Sequence, residues 1–175
     1  MDTETVLLPN KRYITGHDPV SGKSIYLDAP ELQHFPVHGF GAAARSYATA
    51  TLPPEIDNDE DLKAYISGDS VASHTKQEII VPPTNSDKQR SQAKIGGMNV
   101  VSLDIKPSAV GHMHRTVSLD ISTCISGEVF HELDSGQKVR LMPGVSCPVL
   151  RQPFKCGSLA HCGVPSHFGS RALVY

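Results

Sequence analysis

The sequence predicts a mainly β protein: a small jelly-roll β-barrel with one or two short helices. Three observations carry this. First, the stretch Gly111-His112-Met113-His114-Arg115-Thr116-Val117-Ser118-Leu119-Asp120 reads as an extended strand with one polar face. Side chains alternate across a strand, so His112, His114, Thr116, Ser118 and Asp120 share that face, while Leu119 and Ile121 fall on the other. Second, hairpin signals recur at Asp18-Pro19-Val20-Ser21-Gly22 and at Asp134-Ser135-Gly136, flanked by β-branched and aromatic residues. Third, a single segment, 58–66, has clear helical spacing. Antiparallel hairpins in series with so little helix point to two Greek keys closed into a barrel.

The elements follow in order. Residues 10–28 read as a hairpin, and 29–41, punctuated by proline and glycine, as a loop that includes His34 and His38. Residues 45–52 suit a strand that Pro53-Pro54 ends. The helix over 58–66 has Asn58 as its cap and Asp59, Glu60 and Asp61 in the first turn, where the helix dipole favours acids. The acids of 55–61 otherwise read as a solvated face. Residues 67–94 are mostly polar, with an exposed loop over 86–92. Val101, Leu103 and Ile105 alternate with Ser102 and Asp104, a half-buried strand that Lys106-Pro107-Ser108 breaks. The polar-faced strand comes next, then a turn at 125–128, then a hairpin pairing 129–133 with 138–142. In the tail, 145–175, Pro148, Pro153 and Pro165 conflict with regular central strands, and only 148–150 and 171–175 look extended.

A chain of 175 residues is expected to form one domain, divided as 8–98, 99–144 and 145–175. A net charge of -2 gives no electrostatic case for nucleic acid or an anionic membrane. The start, Met1-Asp2-Thr3-Glu4-Thr5, lacks the basic and apolar pattern of a signal peptide, and no apolar run suits a membrane helix. The expectation is a soluble, cytoplasmic protein. Cys124, Cys147, Cys156 and Cys162 contain no Cys-x-x-Cys pair and read as reduced thiols that pack as small apolar groups. A zinc set from Cys156, His161, Cys162 and His167 has poor spacing.

The chemistry concentrates at 112–120. Two imidazoles and a carboxylate on one face form the protein half of a facial-triad metal site, from His112, His114 and Asp120. His114 and Asp120 are the candidate catalytic pair. Thr116 and Ser118 add hydrogen-bonding groups for a substrate, and Arg115 offers a fork for a carboxylate, though parity turns it to the opposite face. The bland alternative is a polar barrel mouth with hydrogen-bonded imidazoles. His131, beside Glu132, reads as an exposed or cross-strand residue.

The order His-x-His, acid, Ser126-Gly127-Glu128, then Leu141-Met142-Pro143-Gly144 resembles the cupin pattern. Met113-His114-Arg115-Thr116 with Ser118 and Asp120, and Lys11-Arg12-Tyr13-Ile14-Thr15 with His17-Asp18, are similar to a group of small single-domain fungal cupins. The likeness spans roughly residues 8–144. The chain departs from that pattern in three ways. Proline is usual where His112 stands, the general motif puts glutamate one position before Asp120, and Lys155 falls where the second motif supplies a histidine. The resemblance implies a barrel with a divergent carboxyl-terminal second motif and a divalent ion such as Zn, Fe, Mn or Ni. It also implies a homodimer paired through amino-terminal strands, and tailoring chemistry on a small oxygenated, polyketide-like acid: decarboxylation, dehydration, cyclisation or ring cleavage. A non-catalytic cupin that binds a small molecule or is structural, having lost the second metal motif, is the alternative.

Overall fold

The computed structural model describes residues 10–76, 96–113, 120–149, 159–161 and 170–174. Eleven strands and one short helix are assigned over these residues, as the mainly β reading expects. In order they are β1 (Ile14–His17), β2 (Ser24–Leu27), β3 (His34–Val37), β4 (Gly41–Thr49), α1 (Glu60–Ile66), β5 (Met98–Ile105), β6 (Asp120–Ser126), β7 (Val129–Glu132), β8 (Lys138–Leu141), β9 (Ser146–Val149), β10 (Leu159–His161) and β11 (Ser170–Val174).

β1 and β2 form a separate ribbon. Its turn is organised by Asp18, whose carboxylate accepts hydrogen bonds from the backbone N–H groups of Val20 and Ser21 and from the Ser21 hydroxyl. Those bonds from Ser21 lower the Asp18 carboxyl below its usual range. Gly22 supplies the positive φ of 68° that closes the turn.

The main body has two sheets. One runs β3-β4-β5-β11-β6-β9 and the other β10-β7-β8, with every pair antiparallel. The core lies between them: Ile105 and Leu103 of β5, Cys124 of β6 and Cys147 of β9 meet Val129 of β7 and Leu141 of β8, with Ala109 and Phe40 filling in. Burying such side chains is worth roughly 1.5–3 kcal/mol each.

Three expectations change. The segment taken as a loop contains β3, an edge strand; Pro36 is tolerated there because an edge residue's missing N–H faces no neighbour. The same reasoning admits Pro148 in β9, the opposite edge. The tail supplies β9, β10 and β11, and β11 sits inside the large sheet, paired with β5 on one side and β6 on the other. At the helix, Asn58 does not cap. It and Asp59 adopt left-handed conformations around a 3₁₀ turn, Asp57–Asp59, and α1 starts at Glu60 without a side-chain cap.

α1 is pinned to β4 by Tyr65, which is fully buried and donates to the carbonyls of Arg45 and Ser46. The Arg12 guanidinium stacks 5.1 Å from the Tyr65 ring centre. Tyr47 donates to Asp61 of the helix, and burial with that carboxylate pushes its phenol far up.

Because β11 is the hydrogen-bonded partner of both β5 and β6, a chain ending at residue 169 should lose its cooperative thermal transition. Melting followed by circular dichroism checks this; an unchanged transition would show that β11 contributes nothing to the sheet.

Candidate functional site

β6 fixes the geometry. Cys124 is fully buried in the core, while Ile121 and Ile125 are exposed. Alternation therefore places Asp120, Ser122 and Cys124 on the inner face of the sheet. The expected inward parity of Asp120 is met at the first residue of the strand, where it is half-buried. His112 lies in the connector between Val110 and the polar-faced stretch, outside a strand, and is exposed. His114, Arg115, Thr116 and Ser118 lie outside the described residues.

Below Asp120 the inner face changes character layer by layer. Ser122 is paired with Cys147 of β9, so these two share the face. From the other sheet, His131 joins them: its Nδ1 is 3.9 Å from the Cys147 Sγ. One layer further down, Cys124, Val129, Leu141 and Ile105 are apolar and buried. In the opposite direction, Val139, the cross-strand partner of His131, is 50% exposed, so the inner face opens towards solvent there.

His131 is the residue that sequence reasoning misplaced. It is only 9% exposed, and its Nε2 is enclosed without a hydrogen-bond partner among the described residues. Burial lowers its pKa, so the neutral imidazole is favoured. The signal was available in the alternation of Val129-Phe130-His131-Glu132, which sends Val129 and His131 inward. Glu132 faces outward and pairs with Lys138 at 2.8 Å. Glu128, also buried, is held by Arg140 and is not a spare acid.

Of the set that strand parity brings to one face for a cation, the described donors are His112 and Asp120. Among the described residues no three His, Cys, Asp or Glu side chains converge to hold a metal ion, so these two do not form a centre by themselves. A surface crevice of about 650 Å³ runs along residues 51–60, and none of the inner-face side chains lines it. Among the described residues no helix is long and apolar enough to cross a membrane.

No family model matches the chain. Curated relatives do. It is 29% identical over 135 residues to the "Cupin-domain-containing oxidoreductase srdB" of Neurospora crassa, covering 76% of this chain and 58% of that one. It is 32% identical over 140 residues to "Phomopsin biosynthesis cluster protein D" of Diaporthe leptostromiformis, covering 78% of this chain and 63% of that one. The chain is a relative of the small fungal cupins, as the stretch around His114 indicated. It spans less than two thirds of the length of these relatives. The crystal structure of ectoine synthase from P. lautus matches 43% of this chain and 50% of that one, with 14% identity and a TM-score of 0.36.

The buried imidazole gives a pH dependence with a definite sign. The unfolded chain titrates His131 near its ordinary value of 6.5, whereas the folded chain titrates it lower. Below about pH 6.5 the unfolded state therefore takes up the proton first, and stability falls until the folded pKa is passed. Urea denaturation between pH 7.5 and about 5 should show a smaller acid-side loss in His131→Leu than in the parent chain.

Proposed function

We propose that this chain is a cupin-type enzyme acting on a small oxygenated acid, held at the open end of the barrel beside Asp120. The observation that carries the reading is the inward carboxylate of Asp120 at the head of β6, above a polar layer and an apolar floor. A polar rim over an apolar base suits a small molecule with an oxygenated end and a carbon skeleton. Relatives named for an oxidoreductase and for a biosynthesis cluster support an enzyme of secondary metabolism.

The reaction class proposed is lyase-type: decarboxylation, dehydration or cyclisation. In this reading His114 holds the metal or acts as the base, and Asp120 orients it or is a ligand. Arg115, Thr116 and Ser118 contribute hydrogen bonds to the oxygens of the substrate. His112, His114 and Asp120 would hold a divalent ion, which supplies Lewis-acid stabilisation of a developing enolate oxygen. The printed names of two relatives favour redox chemistry as a second reading on the same residues.

Elemental analysis of the purified chain should find close to one divalent ion per protein. His114→Ala should lose it, together with carbon dioxide release from 3-keto or phenolic acids, while the circular-dichroism spectrum stays unchanged. Absence of both metal and turnover in the parent chain would favour the non-catalytic binding protein.

We also propose a homodimer. Among the described residues the β1–β2 ribbon joins no other sheet, and it exposes Tyr13 and Tyr26, whose rings pack 5.7 Å apart. An isolated two-stranded ribbon is marginal in water, so a second copy is a suitable cover. Sedimentation should give a dimer, and Tyr13→Ser with Tyr26→Ser should give monomer.

A further inference from the structure

The pair His131 and Cys147 has no role in the proposed chemistry, yet it sets a nucleophile beside a base inside the barrel. Cys147 lies on the inner face of β9 and is partly exposed. His131 comes from the other sheet, and its Nδ1 is 3.9 Å from the Cys147 Sγ. A thiol is intrinsically a strong nucleophile once a neighbouring base takes its proton.

We propose that Cys147 adds to small α,β-unsaturated carbonyl compounds, with His131 as the base that takes the thiol proton. Geometry is the first argument. Nδ1 is the nitrogen turned to the thiol, so it accepts the proton, and the ring hydrogen is then on Nε2. A separation of 3.9 Å is long for the transfer, but such hydrogen bonds are often long in a free protein and tighten once the reactant is seated.

The state of the ring is the second argument. A general base must be unprotonated at rest, and burial favours the neutral imidazole over the imidazolium. Val139 stands opposite His131 on β8, Ala160 opposite it on β10, and Ser122 opposite Cys147 on β6. Asp120 is one layer above, and Glu132 is turned outward to Lys138. Among the described residues Nε2 has no acceptor that would stabilise an imidazolium, so the ring holds the thiol proton only in transit. The step needs no co-reactant. The Cys147 sulfur forms a bond to the β-carbon, the π pair of the double bond moves through the enolate to the α-carbon, and the thiol proton passes through Nδ1 to that carbon. No group leaves, and nothing is oxidised or reduced.

Position is the third. The inner face opens past Val139, and Cys124, Val129 and Leu141 make an apolar floor beneath the pair. A neutral compound with a short carbon skeleton and one carbonyl suits that setting. The reaction uses none of His112, His114 or Asp120, and so stands whether or not those residues serve the function proposed above.

N-ethylmaleimide, a small α,β-unsaturated dicarbonyl, is the probe, applied to the full chain with the modified cysteines located by peptide mass. Cys147 should be modified, whereas Cys124, fully buried with its thiol turned to the carbonyls of Ser126 and Gly127, should not. His131→Leu keeps much of the volume and removes the base, and it should slow modification at Cys147 about tenfold or more near pH 7. In the parent chain the rate at Cys147 should change little between about pH 6.5 and 7.5, because the imidazole is already neutral there. A thiol without a base reacts through its thiolate and would quicken about tenfold over that interval. No adduct at Cys147 overturns the proposal. So does an equal rate in His131→Leu, or equal modification of Cys124, which would place the reaction in an opened chain. Should His131→Leu fail to fold, the pH profile of the parent chain decides, and a tenfold climb overturns the assignment of His131 as the base.

Discussion

The insertion of β11 between β5 and β6 is the constraint on which the rest of the structure depends. β5 carries Ile105 and Leu103 into the core and pairs with β4, which anchors α1. β6 carries Cys124 into the same core and Asp120 to its rim. Among the described strands these two are joined only through β11, which hydrogen-bonds to both. The alignment of the inner face is therefore set by a strand near the end of the chain, paired with residues far away in sequence. Such non-local closure demands loop entropy before it returns any contact energy, so the last-made part of the sheet limits how the site is assembled.

The two proline-bearing edges complete that logic. A six-stranded sheet has two rows of backbone groups open to pairing with another chain. Here β3 places Pro36 on one edge and β9 places Pro148 on the other. Proline removes a donor from each row at little cost to the sheet, whereas the same residue in β11 would break two ladders at once. The tail prolines that looked hostile to a barrel are compatible with it where their strand lies at an edge.

Much of this was legible in the sequence. Alternation in β5, the turns at Asp18 and Gly136, and the inward parity of Asp120 all follow from period-two patterning and turn chemistry, which are local. β3 and the interior position of β11 were not legible, because each depends on which strand lies alongside; for His131, alternation gives the inward direction but not the depth of burial. Pro36 signals a loop until its strand is known to be an edge. His131 signals a surface until its neighbours Val129 and Cys147 are placed. Asn58 signals a cap by composition, but the left-handed turn at Asn58 and Asp59 moves the helix start to Glu60.

The arrangement of the inner face also explains why a histidine can remain there. A charged side chain between Ile105, Val129 and Leu141 would be too costly, and one beside Asp120 would be solvated and ordinary. His131 occupies the step between those environments, where burial keeps it neutral but the thiol of Cys147 is still within reach. A leucine at that position would fill the space and satisfy the core, and no polar atom would be left without a partner. The chain instead keeps an imidazole whose second nitrogen is enclosed and has no partner among the described residues. Packing gives no reason for that choice. The His131 Nδ1 stands 3.9 Å from the Cys147 Sγ, and that contact extends the polar layer of the inner face one step beneath Asp120.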